Sequence, residues 1–395
     1  MRTASVVLVA ISLLGLHVAV ATAISLTDYT FPKSTSQQAY LNGIFNTAGN
    51  SADSTEVGYN FAGSASYLLD YRSLPFSYNL DVLGNFSVAK STIEDSESEE
   101  AYFLRMTTVA DKYLRDDSNL FGFGGGRLEY RKLASQEDAD DPRIDLEVGV
   151  GYGRTINATV LKQAIRINED FLKYQVISGD IPDNALLELA QVIEKEGEYR
   201  SRHGNVEYRK YWFEDMEQIV RDAGVLTGQN LGAIGILRIQ EVLAEPTAQR
   251  WHGWVARAGV GVQVSDFDGE SGDPTLSARF DWTRPVDIKL QLSNRASFFT
   301  VLEDDPVYQI ADEFRVDYEV SNRIDWYNSA TLNYDIPTMD GLENILRLNL
   351  KSTYIFYIEN QLSLNPEFQY QFIDDGLGDS EWNWAILGSV TYRLK

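Results

Sequence analysis

From Val57 to Val88 the chain alternates apolar and small polar residues for longer than an ordinary soluble strand lasts. Val57, Tyr59, Phe61, Gly63, Ala65, Tyr67, Leu69 and Tyr71 take every second position, with Gly58, Asn60, Ala62, Ser64, Ser66, Leu68 and Asp70 between them. After Arg72-Ser73-Leu74-Pro75 the alternation restarts through Phe76, Tyr78, Leu80, Val82, Gly84, Phe86 and Val88. Successive side chains of a strand point to opposite faces, so the stretch reads as a long hairpin with one apolar and one small, polar face. The apolar face is aromatic at both ends and smaller in the middle, the pattern of a strand facing lipid between two interfacial girdles. Strands of a soluble sandwich alternate too, but run only about 5 to 6 residues.

Further segments follow the same rule. A weaker first strand covers Gln38 to Thr47, a fourth Ala101 to Leu114, a fifth Asn119 to Leu133, and a sixth sets Ile144, Leu146, Val148, Val150 and Tyr152 against Asp145, Glu147, Gly149, Gly151 and Gly153. Alternation returns at Trp251, and later strands are expected near Leu276, Val286, Phe314, Asn328, Ile345, Gln361 and Trp382. Between the two sets, from Asn157 to about Glu245, apolar residues fall at helical spacing. Leu161, Ala164, Ile165, Leu172 and Val176 form one stripe, and Leu186, Leu189, Ala190 and Ile193 a second. A third helix is expected over Val206 to Asp222, closing at Gly224, and a fourth over Asn230 to Leu243. The expected fold is an all-β transmembrane antiparallel barrel of about 14 strands, an even count as in bacterial barrels, with a helical periplasmic insertion between strands six and seven. The divisions are a removable leader at 1–23, strands one to six at 24–154, the insert at 155–250 and strands seven to fourteen at 251–395.

Connection lengths give the orientation. Arg72 to Pro75, Arg115 to Ser118, Arg284 to Asp287, Asp325 to Tyr327 and Tyr357 to Asn360 are tight, whereas Lys90 to Glu100, Asp266 to Asp273 and Glu303 to Glu313 are longer. Short periplasmic turns and longer outer loops are the rule for membrane barrels, which places the insert on the periplasmic side.

Charge sharpens the reading. The formal net charge of −24 excludes a nucleic-acid partner, which needs a basic face. Most of the acid falls in the long connections, including Glu94, Asp95, Glu97, Glu99, Glu100, Glu137, Asp138, Asp140, Asp141, Glu303, Asp304, Asp305, Asp312, Glu313, Asp374, Asp375, Asp379 and Glu381. Such a rim focuses potential at the mouth or simply stays solvated. Asp266, Asp268, Glu270 and Asp273 resemble part of a calcium loop, so a loop-bound Ca2+ is the one metal the sequence offers. On the face that alternation assigns to the lumen, Arg257, Arg279, Arg295, Arg315, Arg347 and Lys351 are interleaved with Asp281, Asp317 and Glu319. Mixed charge there either braces the wall with ion pairs or sorts solutes in a transverse field.

Enzyme chemistry is not expected. Beyond the leader the histidines are His203, in the insert, and His252, at the inner end of strand seven, away from the outer rim where a barrel hydrolase would need a base. Gly122 to Arg127 and Gly149 to Arg154 lack the Gly-Lys-Ser/Thr ending of a phosphate loop and lie inside strands. There is no cysteine.

The leader has Arg2 at its positive end, an apolar run from Val6 to Val20 and Ala21-Thr22-Ala23 at the cleavage position. Together with the alternating wall and the final strand Trp382, Trp384, Ile386, Gly388, Val390, Tyr392 and Leu394, these features make the chain resemble bacterial outer-membrane β-barrel proteins of the porin-like class. Members of that class usually end in an aromatic residue read by the barrel insertase, and here Lys395 follows Leu394. The resemblance implies an outer-membrane location, with lipid, lipopolysaccharide and the insertase as partners. Two functions fit. One is a pore for passive diffusion or export whose insert gates the lumen or docks a partner. The alternative is a non-conducting barrel that anchors a periplasmic envelope complex through the insert.

Overall fold

The computed structural model describes residues 24–49, 57–92, 96–245, 248–359, 362–376, 378 and 380–392. The expected leader and the three residues after Tyr392 lie outside this set, as do Glu94, Asp95 and Asp379. The strands are β1 (Ser34–Gly49), β2 (Val57–Arg72), β3 (Phe76–Lys90), β4 (Glu99–Tyr113), β5 (Leu120–Lys132), β6 (Arg143–Asn157), β7 (Trp251–Ser265), β8 (Thr275–Pro285), β9 (Leu290–Val301), β10 (Val307–Ser321), β11 (Ile324–Pro337), β12 (Ile345–Glu359), β13 (Leu362–Asp374) and β14 (Glu381–Tyr392). They form one 14-stranded sheet in sequence order, each strand antiparallel to the next. The expected number of strands and the place of the helical insertion agree with the structure.

Register divides the residues as the alternation requires. Opposite one another on one face stand Gly151, Arg257, Arg279 and Ser297; on the other stand Val150, Ala258, Ala278 and Phe298. The second face leaves Val148, Val150, Val260, Ile310 and Ile386 exposed. A continuous band of exposed valine, leucine, isoleucine and aromatic side chains has no place in water, and it matches the lipid-facing wall of a membrane barrel.

Four strands differ in extent from the sequence reading, the first being β1, which begins at Ser34 rather than Gln38. β9 begins at Leu290 rather than Val286, β11 at Ile324 rather than Asn328, and β10 at Val307 rather than Phe314. In β10 the polar residues Gln309, Asp312 and Glu313 mimic a loop, yet Glu313 occupies an inward position, where charge is tolerated. Asp312 and Glu313 therefore belong to the wall and not to the acidic rim, and the β9–β10 connection shrinks to 302–306.

The insert forms α1 (Thr159–Lys173), α2 (Asp183–Glu194), α3 (Glu196–Asp222) and α4 (Gly232–Ala244). Leu161, Ile167 and Phe171 of α1, Leu189 and Ile193 of α2, Trp212 and Met216 of α3, and Ile239 of α4 make a buried core of its own, joined by Leu26 and Tyr29 from the N-terminal segment. α3 starts earlier than its apolar stripe. Its first turns are held by Glu196–Arg200 at 2.7 Å and Glu198–Arg202 at 2.6 Å, pairs one helical turn apart that carry no hydrophobic period. Gly204, with φ +74°, kinks it there. At the far end Gly224 closes the helix with φ +70°.

The insert sits at the tight-turn end of the sheet, the end marked by the short links β2–β3 and β10–β11. It is rooted between β6 and β7, and it touches strands in both directions from that root. Towards one side Ser201 Oγ bonds the Gln37 backbone of β1 and Glu194 pairs with Arg72 of β2. Towards the other side α1 meets Glu319 of β10. Contacts with β1 and β2 on one side of the root and with β10 on the other require the sheet to curl around this end.

Candidate functional site

Where the sheet curves most, its inner face has lost its side chains. Gly149, Gly151 and Gly153 of β6 and Gly259 and Gly261 of β7 face inward. A Cβ on Gly151 would stand 2.1 Å from the Phe121 ring, and one on Gly149 would stand 2.5 Å from the Phe123 ring. The glycines thus leave room for two phenyl rings laid flat against the wall. Over them Arg257 of β7 reaches past β6 and β5 to Asp111 of β4 in a bidentate pair, 2.7 and 2.8 Å, with its guanidinium 4.9 Å from the Phe121 ring centre. Tyr113 closes the cluster, its hydroxyl donating to Gly153 O at 3.2 Å. The glycine runs that look like phosphate loops are the seat of this internal aromatic packing.

Beyond Arg257 the cations continue from strand to strand. Arg257 and Arg279 are direct cross-strand partners. Arg295 stands opposite Asp281, one inward position from Arg279, and Arg315 stands opposite Ser293, one inward position from Arg295. Ser329 links Arg315 in register to Lys351. The result is a basic arc on β7, β8, β9, β10 and β12. Each member has a carboxylate beside it: Asp281 takes both Arg279 at 2.6 Å and Arg295 at 2.7 Å, Asp317 lies 3.8 Å from Arg315, and Glu367 lies 2.8 Å from Lys351. Arg347 pairs with Asp335 at 2.5 Å nearer the long-loop end. The arc's four arginines, Arg257, Arg279, Arg295 and Arg315, border a cavity of about 920 Å³, with Glu147 and Glu313 also at its edge.

Glu319, the remaining lumen candidate, does something else. It is buried at the foot of β10 and receives Lys162 at 2.6 Å and Arg166, both from α1. Lys162 is fully buried, and Arg166 also reaches Glu245 at 3.5 Å. Beside them Arg250, again fully buried, donates to Ile288 O at 3.0 Å and Lys289 O at 2.6 Å in the β8–β9 turn. Burial first, then the positive charges of Arg250 and Arg166, pushes the Lys162 amine down to about 6. Burial likewise lowers Arg250 and raises Glu245. This polar latch ties the insert to the wall, and Arg72 with Glu194 at 3.3 Å ties it on the opposite side. Two smaller cavities pass this second tie. One of about 240 Å³ shares Arg257 and Trp251 with the large cavity, and one of about 330 Å³ shares Arg72 and Glu194 with the former.

The acidic loop candidates do not converge. One Asp266 oxygen accepts the backbone N–H groups of Asp268 and Glu270, both at 2.9 Å, so its carboxylate is engaged in shaping the turn. These bonds hold Asp266 below the usual carboxylate range. Among the described residues no group of three acidic or histidine side chains is placed to hold a metal, and Asp266, Asp268, Glu270 and Asp273 are turn residues. His252 lies 3.1 Å from Tyr29 O, and His203 stacks on Tyr211 with ring centres 4.0 Å apart.

Lys162, Arg166 and Arg250 are the functional residues that sequence reasoning missed. Their signal was present: two cations one helical turn apart, beside the buried stripe of an otherwise amphipathic helix, demand an anion from elsewhere. Asp111 carried no such mark, because its partner lies three strands away.

Long antiparallel strands, an apolar outer band and a charged inner face define the architecture of an outer-membrane β-barrel with a helical domain at one end. No protein-family model and no curated protein matches the sequence. Among solved structures the chain is similar to a bacterial polysaccharide outer-membrane secretin (8% identity, 92% of this chain and 99% of that one, TM-score 0.27). It is also similar to OccAB1 of Acinetobacter baumannii (7%, 91% and 96%, 0.30) and to the monoaromatic hydrocarbon channel CymD (10%, 92% and 88%, 0.26). Superpositions this loose carry no information on solute or mechanism.

Proposed function

We propose that the protein is an outer-membrane pore whose helical insert obstructs the inner end of the lumen and gates it. One observation carries this reading. The insert is tied to β1 and β2 on one side and to β10 on the other, so its helices lie across the tight-turn end, where a solute leaving the large cavity has to pass. On the rule that barrel turns are short in the periplasm and long outside, the insert faces the periplasm and the acidic loops face outward. Beside these polar ties, Ile156 at the foot of β6 and Ile288 in the β8–β9 turn pack against the insert, whose apolar core is otherwise built from its own helices and the N-terminal segment, so we read it as a body that shifts as a unit. The row of smaller cavities past Arg72 and Glu194 is the route that such movement would widen.

Planar-bilayer recording tests the reading. Purified full-length protein should pass small, intermittent currents. A variant with 159–245 replaced by a short glycine-serine turn should pass larger and steadier ones. Folding is checked by heat-modifiable gel mobility. Absence of current from both folded proteins overturns the pore. Equal currents, together with loss of a co-purifying envelope protein from the deletion variant, overturn the gate in favour of a scaffold.

A further inference from the structure

We infer that the basic arc on β7 to β12 is a binding and selectivity site for small oxyanionic solutes, of the kind that carry several carboxylate groups; this rests on the pore reading above. By count the cavity wall is balanced, with Arg257, Arg279, Arg295 and Arg315 against Glu147, Asp281, Glu313 and Asp317. By geometry it is not. The side chains of Arg279, Arg295 and Arg315 keep 47%, 56% and 47% of their surface open, whereas Asp281 and Asp317 keep 13% and 15%. Lys351 and Glu367 repeat the contrast at 50% and 15%. Short aspartates sit against the wall, and the longer basic side chains lie over them with their outer N–H groups towards the cavity. Along the arc itself a solute therefore meets guanidinium before aspartate, with Glu147 and Glu313 the more open acids of the same wall.

The arrangement also leaves capacity unused. A guanidinium has five donors in a planar fork, and one carboxylate, Asp281, is shared between Arg279 and Arg295. The remaining donors of the two forks match a carboxylate in bidentate fashion. Because the arc extends over adjacent strands in near register, at a strand spacing of about 4.8 Å, it can hold two or three carboxylates of one molecule at once. The cavity of about 920 Å³ admits such a molecule with its water. The same inequality recurs at the exit: Arg72 is 41% open, and its partners Asp70 and Glu194 are 26% and 16% open. Glu147, exposed on β6, accepts from Ser277 at 2.6 Å and so stands on the same wall, beside the Arg279 end of the arc. Acid in the long loops acts from outside, and physiological salt screens it over about 8 Å, so it tunes entry and leaves the contact site to the arc.

The test uses full-length protein and an Arg279→Gln/Arg295→Gln/Arg315→Gln variant, with citrate as probe. In a bilayer under a potassium chloride gradient the parent should show a reversal potential of the sign for chloride preference, and millimolar citrate should reduce its current. The variant should lose the preference and the block, with citrate binding weakened by about tenfold or more. Cation preference in the parent, or unchanged citrate block in the folded variant, overturns the inference while leaving the pore standing. Absence of current overturns the pore reading instead. In that case equilibrium binding of citrate to detergent-solubilised protein decides the site: binding lost in the variant supports it, and no binding overturns it.

Discussion

Glu319→Gln should release the helical insert. Its carboxylate is buried against Lys162 and Arg166, which are themselves buried, so the substitution removes the anion from a cluster that keeps its cations. Removing one partner of a buried ion pair costs about 3 to 5 kcal/mol, because the other charge stays desolvated. Here the two cations do not contribute equally. Lys162, pushed down to about 6, sheds its proton at pH 7.5 and escapes the penalty. Arg166 cannot, but it retains Glu245 at 3.5 Å. The lower end of the range applies, about 3 kcal/mol, which is about 150-fold in the ratio of docked to undocked insert. At pH 5 Lys162 is protonated as well, and the loss should grow towards about 5 kcal/mol. Single-channel recording measures it directly as the ratio of closed to open dwell time, at both pH values, on protein of confirmed barrel mobility. A combined Lys162→Met/Arg166→Leu/Glu319→Leu variant, which replaces the cluster with apolar volume, should recover most of the closed time. Unchanged dwell times in Glu319→Gln at pH 5 and pH 7.5 would refute the reasoning, because the latch would then bear no part of the docking free energy.

Three other outcomes follow from the same geometry. Docked Lys162 titrates near 6 and an undocked lysine near about 10.4, so between those values the docked state binds fewer protons and docking strengthens as pH rises, by up to about tenfold per unit. Closed dwell times measured from pH 6 to 8 should lengthen accordingly, and Lys162→Met should flatten the profile. Gly151→Ala drives a methyl group into the Phe121 ring and should lower barrel stability by about 1 to 3 kcal/mol in urea unfolding, with Phe121→Leu restoring part of it. Asp281→Asn frees both Arg279 and Arg295 from their shared carboxylate, and the reversal potential should move further towards chloride.

How much of this was legible beforehand depended on the period of each signal. Strand alternation has a period of two and persists for the whole wall, so Val57 to Val88 announced the sheet, and the final strand announced its end. Where an outward position is charged, as at Asp312, which accepts from Asn294 at 2.8 Å, alternation of hydrophobicity fails although the strand continues, and β10 appeared to begin too late. Inward placement of Arg257, Arg279, Arg295, Arg315 and Lys351 could be read by parity alone. Which carboxylate each one meets could not, since Asp111 and Arg257 are joined only by curvature. The latch was hidden for a related reason: Glu319 looked like one more lumen acid until α1 brought Lys162 and Arg166 to it. At Asp266 the residue pattern alone could not tell a carboxylate that shapes its own turn, as its bonds to the Asp268 and Glu270 N–H groups do, from one awaiting an ion.

The Ser201 hydroxyl accepts from the Gln37 N–H at 3.2 Å, and its one proton lies between the Gly197 carbonyl at 2.8 Å and the Gln37 carbonyl at 3.0 Å. Among the described residues β1 is paired with β2 alone and β14 with β13 alone, so Gln37 lies on the edge where the first strand and the last would meet. A helix hydroxyl there takes up the Gln37 N–H that a neighbouring strand would use and lies against its carbonyl. Pairing along the seam must therefore start nearer the long-loop end and cannot run through Gln37 while α3 is in place.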